Sequence, residues 1–366
     1  MRVKFIFFSK TMWDEPPRLR HQLARLLSSD GHQVVFFEKP TYPWYPRNRN
    51  KSDDQLVVLA RTKQLVHHKL RLNRFLYGLN RVYEVKQIRR ELVRTKHSGG
   101  VIVNFNYDYD FLRAMFPDST IVTVINDDHT CTALFGYTKP LDRVLARTCR
   151  KSDYVYTVSF PLRDALKRFC EPLVILPWAD IPYRKPRMDS SRNILLFWGY
   201  IDRRIDWAFV RMLAKAMTSH GTGYQIWFVG PQNSLKECRS ISLEFPETIV
   251  LRPAQELDRL PIDNVLCGII PYRPNDPEIE AITLSNKASK LLAYGLPLAV
   301  TGMPHFLAKP FVYRLDVGCS LDILSRIQRE FYDVQPDIEC FIRENSTAAV
   351  RKRFIETIAR KSLSEA

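Results

Sequence analysis

Residues 283–304, Thr-Leu-Ser-Asn-Lys-Ala-Ser-Lys-Leu-Leu-Ala-Tyr-Gly-Leu-Pro-Leu-Ala-Val-Thr-Gly-Met-Pro, hold the densest structural signal in the chain. Ser285 and Asn286 are residues that cap a helix start, Lys287 falls in the first turn, and Gly295-Leu296-Pro297 ends the helix after about two to three turns. The apolar strand Leu298 to Val300 follows at once, so the stretch reads as a βαβ fragment with its helix start exposed. Free N–H groups, the positive end of the helix dipole and the Lys287 ammonium would converge on one spot, which suits a diphosphate. An amphipathic helix with a solvated lysine accounts for the same residues, and slightly better on this segment alone, because lysine is usually exposed.

Working outward, a sheet opens at Asn193 to Trp198, with strand ends at Gly199-Tyr200, Val229-Gly230-Pro231, Leu251-Arg252-Pro253 and Ile270-Pro271-Tyr272. Ile181 to Arg192, with Pro182, Pro186 and a Ser-Ser pair, is the best domain boundary. Upstream of it, Val3 to Phe8 is an apolar strand followed by the loop Ser9 to Pro17, an amphipathic helix from Arg18 to Ser29, a stop at Gly31 and a strand from Val34 to Phe37. That order begins a doubly wound sheet, in which ligands sit beyond the carboxyl ends of the strands. The absence of a Gly-x-Gly-x-x-Gly run argues against a dinucleotide cofactor. Instead the first loop carries Trp13, Asp14 and Glu15, with Arg18 and His21 at the helix start; ordinary surface charges around a Pro-Pro helix entry fit these residues about as well.

Val101 to Phe105 and Ile121 to Ile125 are further strands, and Asn126-Asp127-Asp128-His129 lies where the second of them ends. Adjacent carboxylates repel, so one of Asp127 and Asp128 could have a raised pKa suited to a general base, while the other caps a helix beginning near His129. Asp108-Tyr109-Asp110 has the Asp-x-Asp form of a metal-binding motif, a very weak signal alone. Tyr154 to Val158 and Val174 to Leu176 complete the sheet, and residues 321–364 read as two or three helices.

The 366 residues, 45% apolar and 26% charged, are enough for two ordinary cores. No apolar run reaches the length of a membrane span, and Met1 to Ser9 reads as a first strand and not a leader, so a cytoplasmic protein is expected. Seven cysteines without a Cys-x-x-Cys indicate neither zinc nor a disulfide framework. A net charge of +16 points to an anionic partner: a sugar nucleotide, a lipid surface or nucleic acid. From Arg61 to Lys96, eleven Lys or Arg stand against Glu84 and Glu91, a net of +9, with leucines and aromatics between them at helical spacing. We read one or two basic amphipathic helices that contact an anionic membrane surface or a polyanion such as DNA.

The run Asn286 to Pro297 with Thr301 resembles the donor-binding helix of GT-B glycosyltransferases, whose bacterial polysaccharide members often carry Asn-Pro-x-Lys-x-x-Glu-Tyr-x-x-x-Gly-x-Pro. Lys287 falls on the lysine that binds the diphosphate; Lys290 falls where many members have a ribose-binding glutamate, and there the chain departs from the pattern. Tyr272 keeps the fifteen-residue spacing to the lysine seen in exopolysaccharide glucuronosyltransferases, where that tyrosine also meets the nucleotide. Gly199 to Asp206, with Arg203 and Arg204, resembles the Gly-x-x-x-x-Arg-x-Asp loop, and Glu256-Leu257 resembles the Glu-Leu near the base. The resemblance implies an α/β chain of two Rossmann-like domains facing a cleft: residues 1–181 bind the acceptor, 193–345 bind the nucleotide sugar, and 346–366 cross back to the first domain.

It further implies donor contacts from Gly199, Arg203, Arg204, Gly230, Glu256, Tyr272, Ser285, Asn286, Lys287 and Lys290, and acceptor contacts from Trp13, Asp14, Glu15, Arg18 and His21. Asp127 matches the catalytic base, with Asp128 one step away, and Asp108 and Asp110 become a false positive. The implied reaction is metal-independent, inverting transfer from a UDP-sugar, bound as substrate with no cofactor, to a lipid-linked saccharide in polysaccharide synthesis, by a protein peripheral to the membrane. Two other readings stay open: a glycosyltransferase that modifies a hydroxylated base in DNA, and an inactive GT-B scaffold or binding protein.

Overall fold

A computed structural model of the chain describes residues 3–15, 17–45, 56–67, 70, 73–97, 99–129, 138–188, 191–231, 236–316 and 318–364. It divides into two compact units, Met1–Leu176 with Val350–Ala366, and Pro177–Ala349.

The first unit is built on β1 (Lys4–Phe8), β2 (Gln33–Phe37), β3 (Val57–Ala60), β4 (Val101–Asn104), β5 (Ile121–Ile125), β6 (Tyr154–Thr157) and β7 (Leu173–Val174), in the order β3-β2-β1-β4-β5-β6-β7. All neighbours run parallel, and Phe8 pairs with both Phe37 and Asn104, so the central strands end level. The continuous apolar runs of β1 and β2 follow from burial on both faces. Ile6, Phe8, Val35 and Phe37 pack on one side with Ile88 and Leu92 of the helix Arg74–Thr95.

The second unit repeats the plan with β8 (Ile194–Trp198), β9 (Gln225–Val229), β10 (Ile249–Arg252), β11 (Val265–Pro271), β12 (Leu298–Thr301) and β13 (Val312–Arg314), in the order β10-β9-β8-β11-β12-β13. In both sheets the strand order reverses beside the first strand, between β1 and β4 and between β8 and β11. Such reversals open a crevice at the carboxyl ends, where ligands of open α/β sheets bind.

Several details differ from the sequence reading. The strand β3 was not anticipated, because Val57–Ala60 is a four-residue edge strand, too short to stand out from the basic stretch that follows it at Arg61. The basic stretch forms a single described helix, Arg74–Thr95, capped by Asn73, while residues 61–64 run against the loop after β2 and the chain bends at 65–66; residues 68, 69, 71 and 72 lie outside the described residues. Residues 126–129 carry no helix and the next described one is Thr138–Arg150, so the expected helix near His129 falls largely on residues 130–137, outside the described set. The division between units falls at residue 176, because the Pro-rich segment that follows packs onto the second unit. There Arg184 N–H donates to Ala293 O at 2.7 Å, and the Arg192 guanidinium lies 4.1 Å from the Phe331 ring.

Three helices, Ser320–Glu330, Gln335–Glu344 and Thr347–Ser364, close the chain. From Val350 the last belongs to the first unit, with Phe354 5.7 Å from the Tyr156 ring and Arg351 paired with Asp30.

Candidate functional site

The helix Asn286–Ala293 starts where the sequence places it: Ser285 is the N-cap and its Oγ accepts from Ala288 N–H at 3.2 Å. This directs Lys287 from the first turn to the carboxyl ends of β8 and β11. Its Nζ donates to the Tyr272 hydroxyl at 2.7 Å and sits 4.1 Å from the centre of the Phe197 ring. Among the described residues no carboxylate pairs with it. Burial, with Arg204 nearby, pushes the Lys287 pKa from 10.5 down to about 7, while Asp202 works the other way. Burial likewise pushes the Tyr272 hydroxyl up to about 12.

The loop after β8 is locked onto the end of β11. Asp206 N–H donates to Pro271 O at 2.8 Å and Arg273 N–H to Arg204 O at 2.9 Å, and Ile205 bridges Tyr272. Within this clasp Arg204 Nε lies 3.0 Å from both Asp202 carboxylate oxygens, and the guanidinium lies 5.7 Å from the Tyr272 ring. The Asp202 hydrogen bond holds the Arg204 proton more firmly than usual; burial opposes ionisation of Asp202, yet the same hydrogen bonds keep its pKa below the ordinary value. A charge-assisted pair this tight fixes the loop and spends the Arg204 charge internally.

Two glycines make room at the end of β8. Gly199 has φ 138°, and a Cβ there would come 3.2 Å from Lys287 Nζ; a Cβ on Gly230 would overlap Gly199 O at 1.8 Å. A side chain at either position would push the β8 and β9 ends apart or occupy the space in front of the lysine.

The other expected donor residues are less concentrated. Arg203 is exposed and 3.4 Å from Glu278, Glu256 is exposed at the start of a short 3-10 turn, and Asn286 is exposed in the first helical turn. Lys290 is half-buried, 3.8 Å from Asp180 and 5.7 Å from the Trp198 ring, so a carboxylate is beside it even though the helix lacks the glutamate.

In the first unit, Trp13 and His21 are packing residues. Trp13 is buried against Phe36, ring centres 5.0 Å apart, and its backbone N–H donates to Glu38 Oε1 at 2.9 Å. His21 is fully buried, stacked on Phe36 at 5.6 Å; its Nδ1 accepts from Arg18 N–H at 3.1 Å and its Nε2 lies 2.8 Å from Met12 O. Burial pushes its pKa below the ordinary histidine value. Glu15 accepts from Met12 N–H at 3.0 Å and faces Arg18 at 3.8 Å, and Asp14 is exposed. Of the aspartate pair, Asp127 is exposed and accepts from the Asn126 amide at 2.8 Å, and Asp128 is half-buried. Asp110 is a structural acid, held by Tyr77, by Arg147 at 3.2 Å and by Lys151 at 3.5 Å; among the described residues no cluster suited to a metal occurs.

Sequence reasoning passed over Arg20. It lies at the second position of the helix Leu19–Ser29, on the same face as Leu23, Ala24 and Leu27, and is only 3% exposed. An arginine on the apolar stripe of an otherwise regular helix was the readable signal.

No family model and no curated protein matches the sequence. Solved structures do resemble it in three dimensions. Anabaena HepE in complex with UDP-glucose superposes with a TM-score of 0.66 at 10% identity, covering 98% of this chain and 100% of that one. The UDP-forming α,α-trehalose-phosphate synthase of Burkholderia xenovorans in complex with glucose-6-phosphate gives 0.65 at 11%, with 98% and 100% covered. The sucrose-phosphate synthase of Thermosynechococcus elongatus gives 0.62 at 13%, with both chains covered in full. Two parallel Rossmann-like sheets, a last helix that returns to the first unit, and likeness over the full length to these structures identify the fold as GT-B.

Proposed function

We propose that the protein transfers a sugar from a nucleotide donor, a UDP-sugar, to an acceptor hydroxyl by metal-independent, inverting displacement. The observation that carries this is Lys287: a half-buried lysine whose ammonium has no acidic partner among the described residues, next to Tyr272 at a helix start and at a strand-order reversal. A departing diphosphate would supply the missing negative charge, and lysine with the helix dipole would do the work of a metal. Asp127, solvent-accessible at the end of β5, is the group we assign to take the acceptor proton. The likeness to glycosyltransferase structures at 10–13% identity supports the fold behind this reading.

The acceptor we propose is a lipid-linked saccharide of polysaccharide synthesis, reached from an anionic membrane surface. On the helix Arg74–Thr95 both acids are engaged: Glu84 is buried and bonded to Tyr109 at 2.8 Å, and Glu91 pairs with Arg94. The outer face keeps Arg74, Lys86, Arg89 and Arg90 beside Phe75, Leu79 and Val82, spaced i, i+4, i+7 and 76%, 49% and 73% exposed. Trp44 and Tyr45 are exposed as well, next to Lys63, whose Nζ donates to Tyr45 O at 2.8 Å. Apolar side chains among cations suit a lipid interface better than a phosphate backbone, which favours a membrane over DNA. Among the described residues no helix is long and apolar enough to cross a membrane.

A thermal-shift screen of sugar nucleotides in EDTA tests the donor reading: one of them at a hundred times its Kd should add about 2.7 kcal/mol of stability. A protein stabilised by none of them would instead be a non-catalytic scaffold. Flotation with anionic vesicles is expected; retention on DNA at low salt without flotation would exchange the acceptor for a modified base.

A further inference from the structure

Arg20 lies in the first turn of Leu19–Ser29, at the reversal between β1 and β4. Its side chain is 3% exposed, and Nε and Nη1 are enclosed without a hydrogen-bond partner among the described residues. The guanidinium stacks 5.5 Å from the ring of Phe105, the residue that follows β4. Burial lowers its pKa to about 10; the charged neighbours it feels are Asp127, Arg18 and Glu15. Lys10 stands at the same strand ends, 4.1 Å from the Tyr107 ring and 3.4 Å from His129 Nε2. The helix start carries no acid in its first turn. Enclosing a guanidinium and leaving two of its nitrogens unmet is destabilising, and a merely structural arginine avoids it by pairing.

We infer that Arg20, with Lys10, holds a phosphoryl group of the acceptor at the carboxyl ends of β1 and β4, beside Asp127. This rests on the glycosyl-transfer reading and narrows its acceptor to a phosphorylated one. A phosphoryl oxyanion meets the fork of guanidinium donors, supplies the charge that the first helical turn lacks, and brings the acceptor sugar next to Asp127. The same chemistry is presented by a soluble sugar phosphate and by a lipid-linked sugar diphosphate.

The test uses inorganic phosphate as probe, in a Lys287→Ala background so that the donor site adds nothing. Phosphate should raise the melting temperature of Lys287→Ala. Adding Arg20→Met should remove that shift and raise the melting temperature measured without phosphate, because an apolar side chain replaces an unmet charge. Adding Arg20→Lys, which keeps the charge but not the fork, should weaken phosphate binding about ten- to a hundredfold. A phosphate shift that survives in Arg20→Met and Arg20→Lys, or no shift in the parent, overturns the assignment. Donor affinity in Arg20→Met with Lys287 intact should equal wild type. No donor binding even in wild type sinks the glycosyl-transfer reading, whereas intact donor binding with an Arg20-independent phosphate response sinks only this inference. A soluble hexose phosphate and a polyprenyl diphosphate-linked sugar in micelles, each assayed against a neutral glycoside, then identify the source.

Discussion

Each sheet carries a cation where its strand order reverses, Arg20 buried and Lys287 half-buried, and the two differ in what they can do. Lys287 is bonded to one neutral hydroxyl and can shed its proton, with a pKa brought to about 7. Arg20, brought only to about 10, stays charged at any physiological pH and keeps two nitrogens unpartnered among the described residues. A lysine can thus lower its cost in the empty protein by going neutral and recover its charge when an anion arrives. An arginine bears the cost throughout, which fits a group that must hold charge and orientation at all times.

The largest expected effect breaks the comparison on the Arg20 side. If Asp127 is the base next to the bound acceptor, Asp127→Asn should lower turnover at saturating donor by about a hundred- to ten-thousandfold with donor affinity nearly unchanged. Asp128→Asn should cost much less, and the reverse ranking in steady-state kinetics would move the role by one residue.

Next comes the Lys287 side. Lys287→Ala should weaken UDP-sugar binding about ten- to a hundredfold by calorimetry while the fold survives, since charge-assisted contacts contribute roughly 1.5–3 kcal/mol. Unchanged affinity would remove the donor site from this helix.

A smaller effect sharpens the contrast between the two cations. The folded-state pKa of Lys287 lies below its unfolded value, so burying its ammonium costs stability below about pH 7, and that cost disappears as pH rises from about 7 toward 10.5. Anion binding restores the proton, so affinity for a UDP-sugar, whose diphosphate does not titrate in this range, should fall by up to about tenfold per pH unit above pH 7. Lys287→Ala should flatten the profile. A pH-independent wild type would mean that the ammonium is already stabilised in the empty site.

The smallest expected change is none: product formation should persist in EDTA, because in the proposed reaction Lys287 and the helix dipole take the place of a metal. Full loss restored by manganese would return Asp108 and Asp110 to consideration as ligands.

Much of the second sheet was legible from residues 283–304 because its signals are local. A serine cap, a lysine one turn in, and Gly-Leu-Pro after the helix act through hydrogen bonds and dihedral limits that span only a few residues. Gly199 and Tyr272 were readable as strand ends, and the fifteen-residue spacing of Tyr272 from Lys287 through the resemblance to GT-B enzymes. The Asp202 clasp on Arg204 was not, because it depends on a loop folding back onto another strand.

In the first sheet the residue types said less about the surroundings. Trp13 and His21 carry the side chains expected of an acceptor loop, but Phe36 of β2 lies beneath them, and burial with satisfied hydrogen bonds makes them packing residues. Arg20 is a similar case: the amphipathic stripe put it on the inward face, and only the packed strands decided that, among the described residues, Nε and Nη1 meet no hydrogen-bond partner there. Sequence alone determined the alternation of strands and helices, the capped lysine helix and the basic stretch, since each depends on neighbours within a turn or two. Which cations remain unpaired was decided by the tertiary structure, because pairing depends on side chains that converge from distant strands and on the water that their packing excludes.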